Sequence, residues 1–296
     1  MTEGEVSQLR KPLSMWPIVR EAYLRTWTHR QHFGRLLIVP VILGTLLSIA
    51  NTYWFSIAET SSTLFNVVDW LIFLPHYMIF TLLAVSCHRS ILIGEHSVSR
   101  FGVPAWSWRE TRFCFLLLAI HVAAWIIVFF LAVLFGIAGG LALSTAKGIM
   151  GQSMLTPDDA RLIIYPTMAL AAVPFAYIVG RSSLILPGIA VDLQPQMKLV
   201  WSYSEGNGWR VTVLVGGVPL VVTALYGLFT FTLVKLTGGS IEEGMDWRGA
   251  SSILTSGVQA VLYYVLATVE VAILSLTFKE LSGWQPSEAQ VGQGKE

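Results

Sequence analysis

Two side chains that can exchange a proton lie deep inside long apolar stretches of this chain. Glu270 is nine residues before Lys279, and His121 is nine residues after Arg112. At about 1.5 Å per helical residue, each lies roughly 13 Å from the charged end of its helix. A glutamate and a histidine at hydrogen-bonding distance could relay protons or hold a polar headgroup. The alternative is structural, with each side chain hydrogen-bonded to a neighbouring helix.

Arg181 completes this candidate polar cluster. If the helix that precedes it ends at Gly180, Arg181 is an anchor at the membrane interface. If the helix continues to Pro187, Arg181 lies roughly 9 Å inside that end and becomes a counter-charge for Glu270. The anchor interpretation is slightly favoured. His76, which follows Pro75, is interpreted as filling a kink.

The sequence contains none of the usual catalytic or metal-binding patterns. It has no HExxH motif, no GxSxG elbow and no Walker phosphate loop. Cys87 and Cys114 form no CxxC pair, and the nearby His88 and His121 do not complete a zinc or haem ligand spacing. We therefore expect no enzymatic activity, no metal and no cofactor.

Composition places these residues in a membrane protein. Of the 296 residues, 54% are hydrophobic and 12% are charged, against about 25% charged in soluble domains. The apolar runs are continuous rather than alternating, which indicates helices and not barrel strands. We expect an all-α polytopic fold with a cytoplasmic amphipathic segment at 1–35, a six-helix membrane domain at 36–278 and a flexible cytoplasmic tail at 279–296. The six predicted spans are 36–57, 68–88, 112–134, 162–180, 211–236 and 253–278.

The distribution of charge predicts the orientation. The segments on one side of the predicted spans hold 15 Lys and Arg residues, and those on the other side hold 4. The positive-inside rule then places both termini in the cytoplasm. Ten of the eleven tryptophans lie at or beyond span ends, as interfacial residues do, and only Trp125 lies within a span. A net charge of +1 gives no reason to expect a nucleic-acid partner.

A polar, Trp-containing segment precedes each odd-numbered span. The first, around residues 16–27, has the pattern of an amphipathic interfacial helix. Before the third span, Ser107 and Glu110 have capping-box spacing, which predicts a helix that begins at Trp108. On the far side, Asp158-Asp159 after Pro157 resembles another helix start. The residues expected at the lipid interface are Trp16, Trp27, Arg109, Arg112, Trp201, Trp209 and Arg210.

These segments suggest an internal repeat. We hypothesise three helical-hairpin units of about 95 residues, near 1–94, 95–190 and 191–296, because Trp-Ser pairs recur at 106–107 and 201–202. The alternative is that every inner interface favours Trp, Arg and Ser. Gly136 and Gly140 have GxxxG spacing, which permits close helix packing within the bundle or against a second copy of the chain.

One passage carries a family resemblance. The sequence GRSSLILPGIAVD at 180–192, followed by WS at 201–202 and GNGWR at 206–210, resembles the YciC-like bacterial membrane proteins and the membrane domain attached to some glycerophosphodiester phosphodiesterases. The resemblance implies a multi-pass protein of the bacterial cytoplasmic (inner) membrane, concerned with lipids or envelope upkeep. It does not carry the phosphodiesterase activity, which belongs to a separate soluble domain.

Two functions compete at this point. The first is a non-enzymatic membrane protein that binds lipid or a membrane-protein partner, aided by basic residues that attract anionic headgroups at about 1 kcal/mol each. The second is a small transporter or channel that uses the intramembrane Glu270 and His121. The second function requires a water-accessible path to one of these side chains.

Overall fold

The computed structural model describes residues 12–57, 63–99, 101, 106–149, 157–218, 221, 224, 227–229, 232 and 250–287. Every regular element within these ranges is a helix, so the all-α class is confirmed. The helices are α1 (Met15–Thr28), α2 (Arg30–Ile57), α3 (Thr63–Leu92), α4 (Trp108–Ile149), α5 (Pro157–Ser183), α6 (Ile185–Ala190), α7 (Met197–Tyr203), α8 (Gly208–Thr212) and α9 (Ala250–Ser282). A short 3-10 turn follows α3, and α8 continues into a π-helical turn at Val213–Gly217.

Four segments in the described part of the chain are long and apolar enough to cross a membrane. They are Arg30–Asn51, Trp108–Thr145, Leu170–Ala190 and Ser256–Ser282, and they overlap the first, third, fourth and sixth predicted spans. The second predicted span, 68–88, lies within α3. The fifth, 211–236, is described only in part and is helical at each described position. The protein is therefore a membrane protein with four candidate spans among the described residues, and six spans with a threefold repeat remain predictions.

The capping box predicted at Ser107 sets the start of the longest helix. The backbone N–H of Ser107 donates to Glu110 Oε2 over 2.9 Å, and the Ser107 hydroxyl donates to the same oxygen. Helix α4 begins at Trp108, as predicted, but continues for 42 residues because its apolar sequence runs on past Leu134. The predicted helix start at Asp158-Asp159 is also confirmed, with Pro157 as the first residue of α5.

Helix α9 is the centre of the bundle. It packs against α1, α2, α3 and α6, and the side chains of residues 271–278 are all buried. By contrast, α4 leaves Trp125, Phe129 and Leu134 more than half exposed. In a bilayer such an apolar surface faces lipid, because no water-soluble surface would carry it. Some of the buried polar side chains, including His88 and Ser275, lie where α9 meets α3.

A charged network closes one end of the bundle. Arg109 pairs with the buried carboxylate of Glu110 at 2.8 Å and also reaches Asp192 at 3.3 Å. Asp192 accepts a second hydrogen bond from Arg89 over 2.7 Å. This network joins the end of α3, the start of α4 and the segment after α6. We call the end that carries Arg89, Arg109 and Lys279 the basic end.

Helix α1 lies across the basic end, and its amphipathic pattern is observed. Ile18 and Ala22 are buried, whereas Trp16 and Trp27 are 74% and 70% exposed. Arg25 of this helix donates to the backbone carbonyl of Ile91 at the end of α3 over 2.9 Å. The first predicted interfacial element is thus a helix fixed to the bundle by one face.

Candidate functional site

The helices enclose a partly open cavity of about 800 Å³ between α2, α3, α4, α5 and α9. Its walls are mostly apolar, and the α3 wall presents Tyr77, Phe80, Ala84 and His88 from one helical face. Along α3 the lining extends from His76 to His88, which is about 18 Å at 1.5 Å per residue. The polar side chains of the lining are Asn51, His76, Tyr77, His88, His121, Ser183, Tyr263 and Glu270.

Glu270 and His121, predicted from sequence to lie at similar depth, both line this cavity. The Nδ1 of His121 lies 2.8 Å from the backbone carbonyl oxygen of Leu117, and its ring packs edge-on against Tyr77 with 5.8 Å between centroids. Among the described residues, none donates a hydrogen bond to the Glu270 carboxylate or forms an ion pair with it. The arrangement leaves an acidic group inside an apolar chamber.

His88 is a site residue that sequence reasoning missed. Its side chain is fully buried, lines the cavity and places Nδ1 2.7 Å from Ser275 Oγ on α9. Its Nε2 atom is buried without a hydrogen-bond partner. The predicted span ended at His88, which made the residue look interfacial. Because α3 continues to Leu92, His88 lies one turn inside the helix end. The helical spacing of positions 77, 80, 84 and 88 could have indicated that His88 shares a helix face with the other lining residues of α3.

His76 also lines the cavity, where the sequence suggested only a kink. Helix α3 is unbroken through Pro75. A proline within a helix removes one backbone hydrogen bond and need not end the helix in a membrane protein. His76 therefore belongs with the polar groups of the chamber, toward the end opposite His88.

The structure does not place Arg181 beside Glu270. Although α5 continues past Gly180, the Arg181 guanidinium turns to the basic end and donates to Tyr177 Oη, Ser204 Oγ and the backbone carbonyl of Trp201, each over 2.8 Å. Its Cζ lies 4.2 Å from the centroid of the Trp201 ring. Three acceptors and an aromatic face hold the charge there. Arg181 is an anchor, and its alternative as a counter-charge is wrong.

Arg181→Lys is expected to destabilise the protein by about 1 kcal/mol, because an ammonium cannot make the three-way contact of the planar guanidinium. Thermal unfolding in mild detergent, followed by circular dichroism, measures the change. Lys198→Arg is the control, because Lys198 is exposed on the nearby helix α7. Equal stability of Arg181→Lys and the native chain would show that the aromatic site does not select arginine.

The residues predicted for the lipid interface divide into two groups. Trp16, Trp27 and Trp209 are more than 60% exposed and are free to meet lipid, and Arg112 is partly exposed. The remaining three bind protein groups: Arg109 pairs with Glu110 and Asp192, Trp201 stacks on Arg181, and Arg210 donates to Asn207 Oδ1. Three of the seven predicted interface residues therefore belong to the internal structure of the basic end.

The GxxxG pair on α4 has no close neighbour among the described residues. A Cβ atom built on Gly136 or on Gly140 meets nothing within 4 Å. Close packing instead occurs at Gly180, where an added Cβ would lie 3.1 Å from the Cα of Thr212 on α8. Internal packing at Gly136 and Gly140 remains a prediction, as does contact with a second copy.

The described residues contain no group of three or more His, Cys, Asp or Glu side chains that could hold a metal ion. Comparison with protein-family models, with curated proteins and with solved structures found no match. The resemblance to YciC-like proteins therefore stays a prediction, and the functional argument depends on the cavity itself.

Proposed function

We propose that this chain is a non-enzymatic protein of a bacterial cytoplasmic membrane that binds a membrane lipid in the cavity around Glu270. In this proposal the protein helps to maintain the envelope or a membrane complex. Both termini face the cytoplasm, on the side where the 15 basic residues collect. The cavity is the observation that carries the proposal.

The size and lining of the cavity support a bound ligand. Its volume of about 800 Å³ lies within the roughly 300–1,000 Å³ of known small-molecule sites, which combine apolar walls with a few polar groups. Phe80, Leu117 and Leu274 supply apolar wall, and Glu270 and His121 supply polar contacts. Lipid is the most abundant ligand available to a cavity between membrane-spanning helices. The acyl chains of a lipid match the apolar wall, and its headgroup matches the polar contacts.

Val179→Trp is expected to reduce bound lipid by about tenfold, a change of roughly 1.4 kcal/mol in binding free energy. Val179 lines the cavity, so an indole at this position occupies the space that the lipid needs. Native mass spectrometry of the full chain, extracted gently from its membrane, reads the lipid that stays bound. Val173→Trp is the matched control, because Val173 is 50% exposed on the same helix, α5.

Three outcomes separate the explanations. Loss of lipid from Val179→Trp alone supports a lipid-binding cavity. Equal lipid on both variants places the lipid outside the cavity and contradicts the proposal. A stoichiometric protein partner on a chain that carries no lipid also contradicts it, and identifies an accessory subunit instead.

A transporter or channel is the second candidate, and the length of the cavity favours it. Polar lining residues extend from Asn51 and His76 to His88, so polar groups recur along about 18 Å of helix. Proteoliposomes loaded with a pH-sensitive dye test this function. Proton flux that disappears in Glu270→Gln would identify a transport path, and absence of flux in the native chain would exclude proton conduction.

A further inference from the structure

The cavity presents hydrogen-bond acceptors to its ligand without a facing cation. Among the described lining residues there is no lysine and no arginine, whereas Glu270 contributes a carboxylate. Arg181, which the sequence offered as an alternative counter-charge, is held at the basic end by Tyr177, Trp201 and Ser204. The missing positive charge must come from the ligand or from a proton.

His88 adds an acceptor whose tautomer is fixed by its partners. Ser275 Oγ donates its single hydrogen to the backbone carbonyl of Val271 over 2.7 Å. It can therefore only accept from His88 Nδ1, which carries the ring hydrogen. The Nε2 atom of the neutral ring is then a lone-pair acceptor, and it is the atom that is buried without a partner.

His121 repeats this arrangement on another helix. A backbone carbonyl accepts and never donates, so the 2.8 Å contact with Leu117 places the hydrogen on His121 Nδ1. Nε2 of the neutral ring is again an acceptor. The side chains of His88, His121 and Glu270 come from α3, α4 and α9, and all three line the same chamber. Native proteins seldom leave buried acceptors unpaired.

We propose that the cavity binds a primary ammonium group, with Glu270 as the counter-charge and the Nε2 atom of His121 as a further acceptor. This inference rests on the proposed function and specifies its ligand. An ammonium supplies three N–H donors and one positive charge, which match the two carboxylate oxygens of Glu270, the Nε2 atom of His121 and one negative charge. His88 lies about 16 Å along α3 from the Tyr77 ring that His121 contacts, so it does not share this group. Membrane sources of this group are aminolipids such as phosphatidylethanolamine, and soluble sources are amines such as spermidine.

Other headgroups match these atoms less well. A glycerol headgroup has hydroxyl donors for these acceptors but no positive charge, so its phosphate would leave a net negative charge beside Glu270. A trimethylammonium group carries the charge but has no N–H to donate. The hydroxyls of Tyr77 and Ser183 remain as neutral donors for the phosphate of an aminolipid. The lining therefore distinguishes ethanolamine from both choline and glycerol headgroups.

The test is a titration of the delipidated full chain with three phospholipids that share acyl chains and differ in headgroup: ethanolamine, choline or glycerol. Native mass spectrometry in detergent reads the bound fraction. We expect the ethanolamine lipid to bind about tenfold more tightly than the other two, the value of one hydrogen bond to a charged group. Equal affinity for all three headgroups would overturn the inference.

Glu270→Gln is expected to remove most of the preference for ethanolamine, since the amide keeps the shape and loses the counter-charge. The matched control is Glu280→Gln, an exposed glutamate on the same helix. His121→Phe is the second variant: it keeps an aromatic ring beside Tyr77 and removes the acceptor, so the preference should fall about threefold. Unchanged preference in both cavity variants would also overturn the inference.

Spermidine and ethanolamine, added alone, separate the two sources of the ammonium group. Displacement of the lipid by a soluble amine at comparable concentration identifies a soluble amine as ligand, and no displacement identifies the aminolipid. Either result retains the ammonium site. Val179→Trp separates this inference from the proposed function: if it removes lipid and the headgroups still bind equally, the cavity binds lipid without selecting an ammonium.

Discussion

Glu110→Ala is expected to lower the free energy of unfolding by about 3 kcal/mol, since removal of one partner from a buried ion pair leaves the other charge uncompensated. The Glu110 side chain is fully buried, and that of Arg109 is 20% exposed. The variant also leaves the Ser107 N–H without its acceptor. Arg109 keeps Asp192 at 3.3 Å, which limits the loss. Circular dichroism during thermal unfolding in mild detergent measures the difference.

Two further variants show whether charge or capping dominates. Glu110→Gln retains an oxygen that can accept from Ser107, so we expect it to lie between the native chain and Glu110→Ala. Glu280→Ala removes an exposed carboxylate and should change stability by less than about 0.5 kcal/mol. A Glu110→Ala protein as stable as Glu280→Ala would mean that the network at the basic end contributes nothing to folding.

Gly44→Ala is expected to destabilise the protein by about 1–3 kcal/mol through overpacking. A Cβ atom built on Gly44 lies 2.5 Å from Cε2 and 2.8 Å from the hydroxyl oxygen of Tyr264. Tyr264 is 2% exposed on α9, so its ring has no solvent into which to move. Helices α2 and α9 would have to separate. The same thermal unfolding measurement detects the loss.

Gly34→Ala is the control for this prediction, because it makes the same substitution on the same helix. A Cβ atom at Gly34 meets nothing within 4 Å. Alanine has a higher helix propensity than glycine, so this variant should be neutral or more stable by up to about 1 kcal/mol. If Gly44→Ala matched Gly34→Ala, α2 and α9 would not be in close contact at this position.

Local signals in the sequence predicted the helices well. Apolar segments of about 20 residues can adopt few structures in a membrane, because every backbone group must be hydrogen-bonded internally. The Ser107 and Glu110 spacing gave the first residue of α4, and Pro157 with its two aspartates gave the first residue of α5. The third predicted span ended 15 residues before the end of α4, because the apolar sequence continues beyond the length needed to cross a membrane.

The site was predicted only in part because it depends on which helices become neighbours. The depths of Glu270 and His121 follow from helical rise, and both residues do line one cavity. The direction of Arg181 depends on Trp201 and Ser204, which lie 20 and 23 residues further along the chain and fold back over α5. The place of His88 in the site could be recognised only from its contact with Ser275 on α9. Such pairings are tertiary, and spacing within one helix does not contain them.

The central position of α9 has a consequence for biogenesis. His88 and Ser275 are separated by 187 residues, which at about 5–20 residues per second takes roughly 10 to 40 s to synthesise. During that interval α2 and α3 have emerged from the ribosome while α9, which packs against both, has not. The half-built bundle then exposes His88 and the groove beside Gly44 to the surrounding lipid. Membrane insertases and quality-control proteases therefore encounter a partly assembled bundle until the last described helix is inserted.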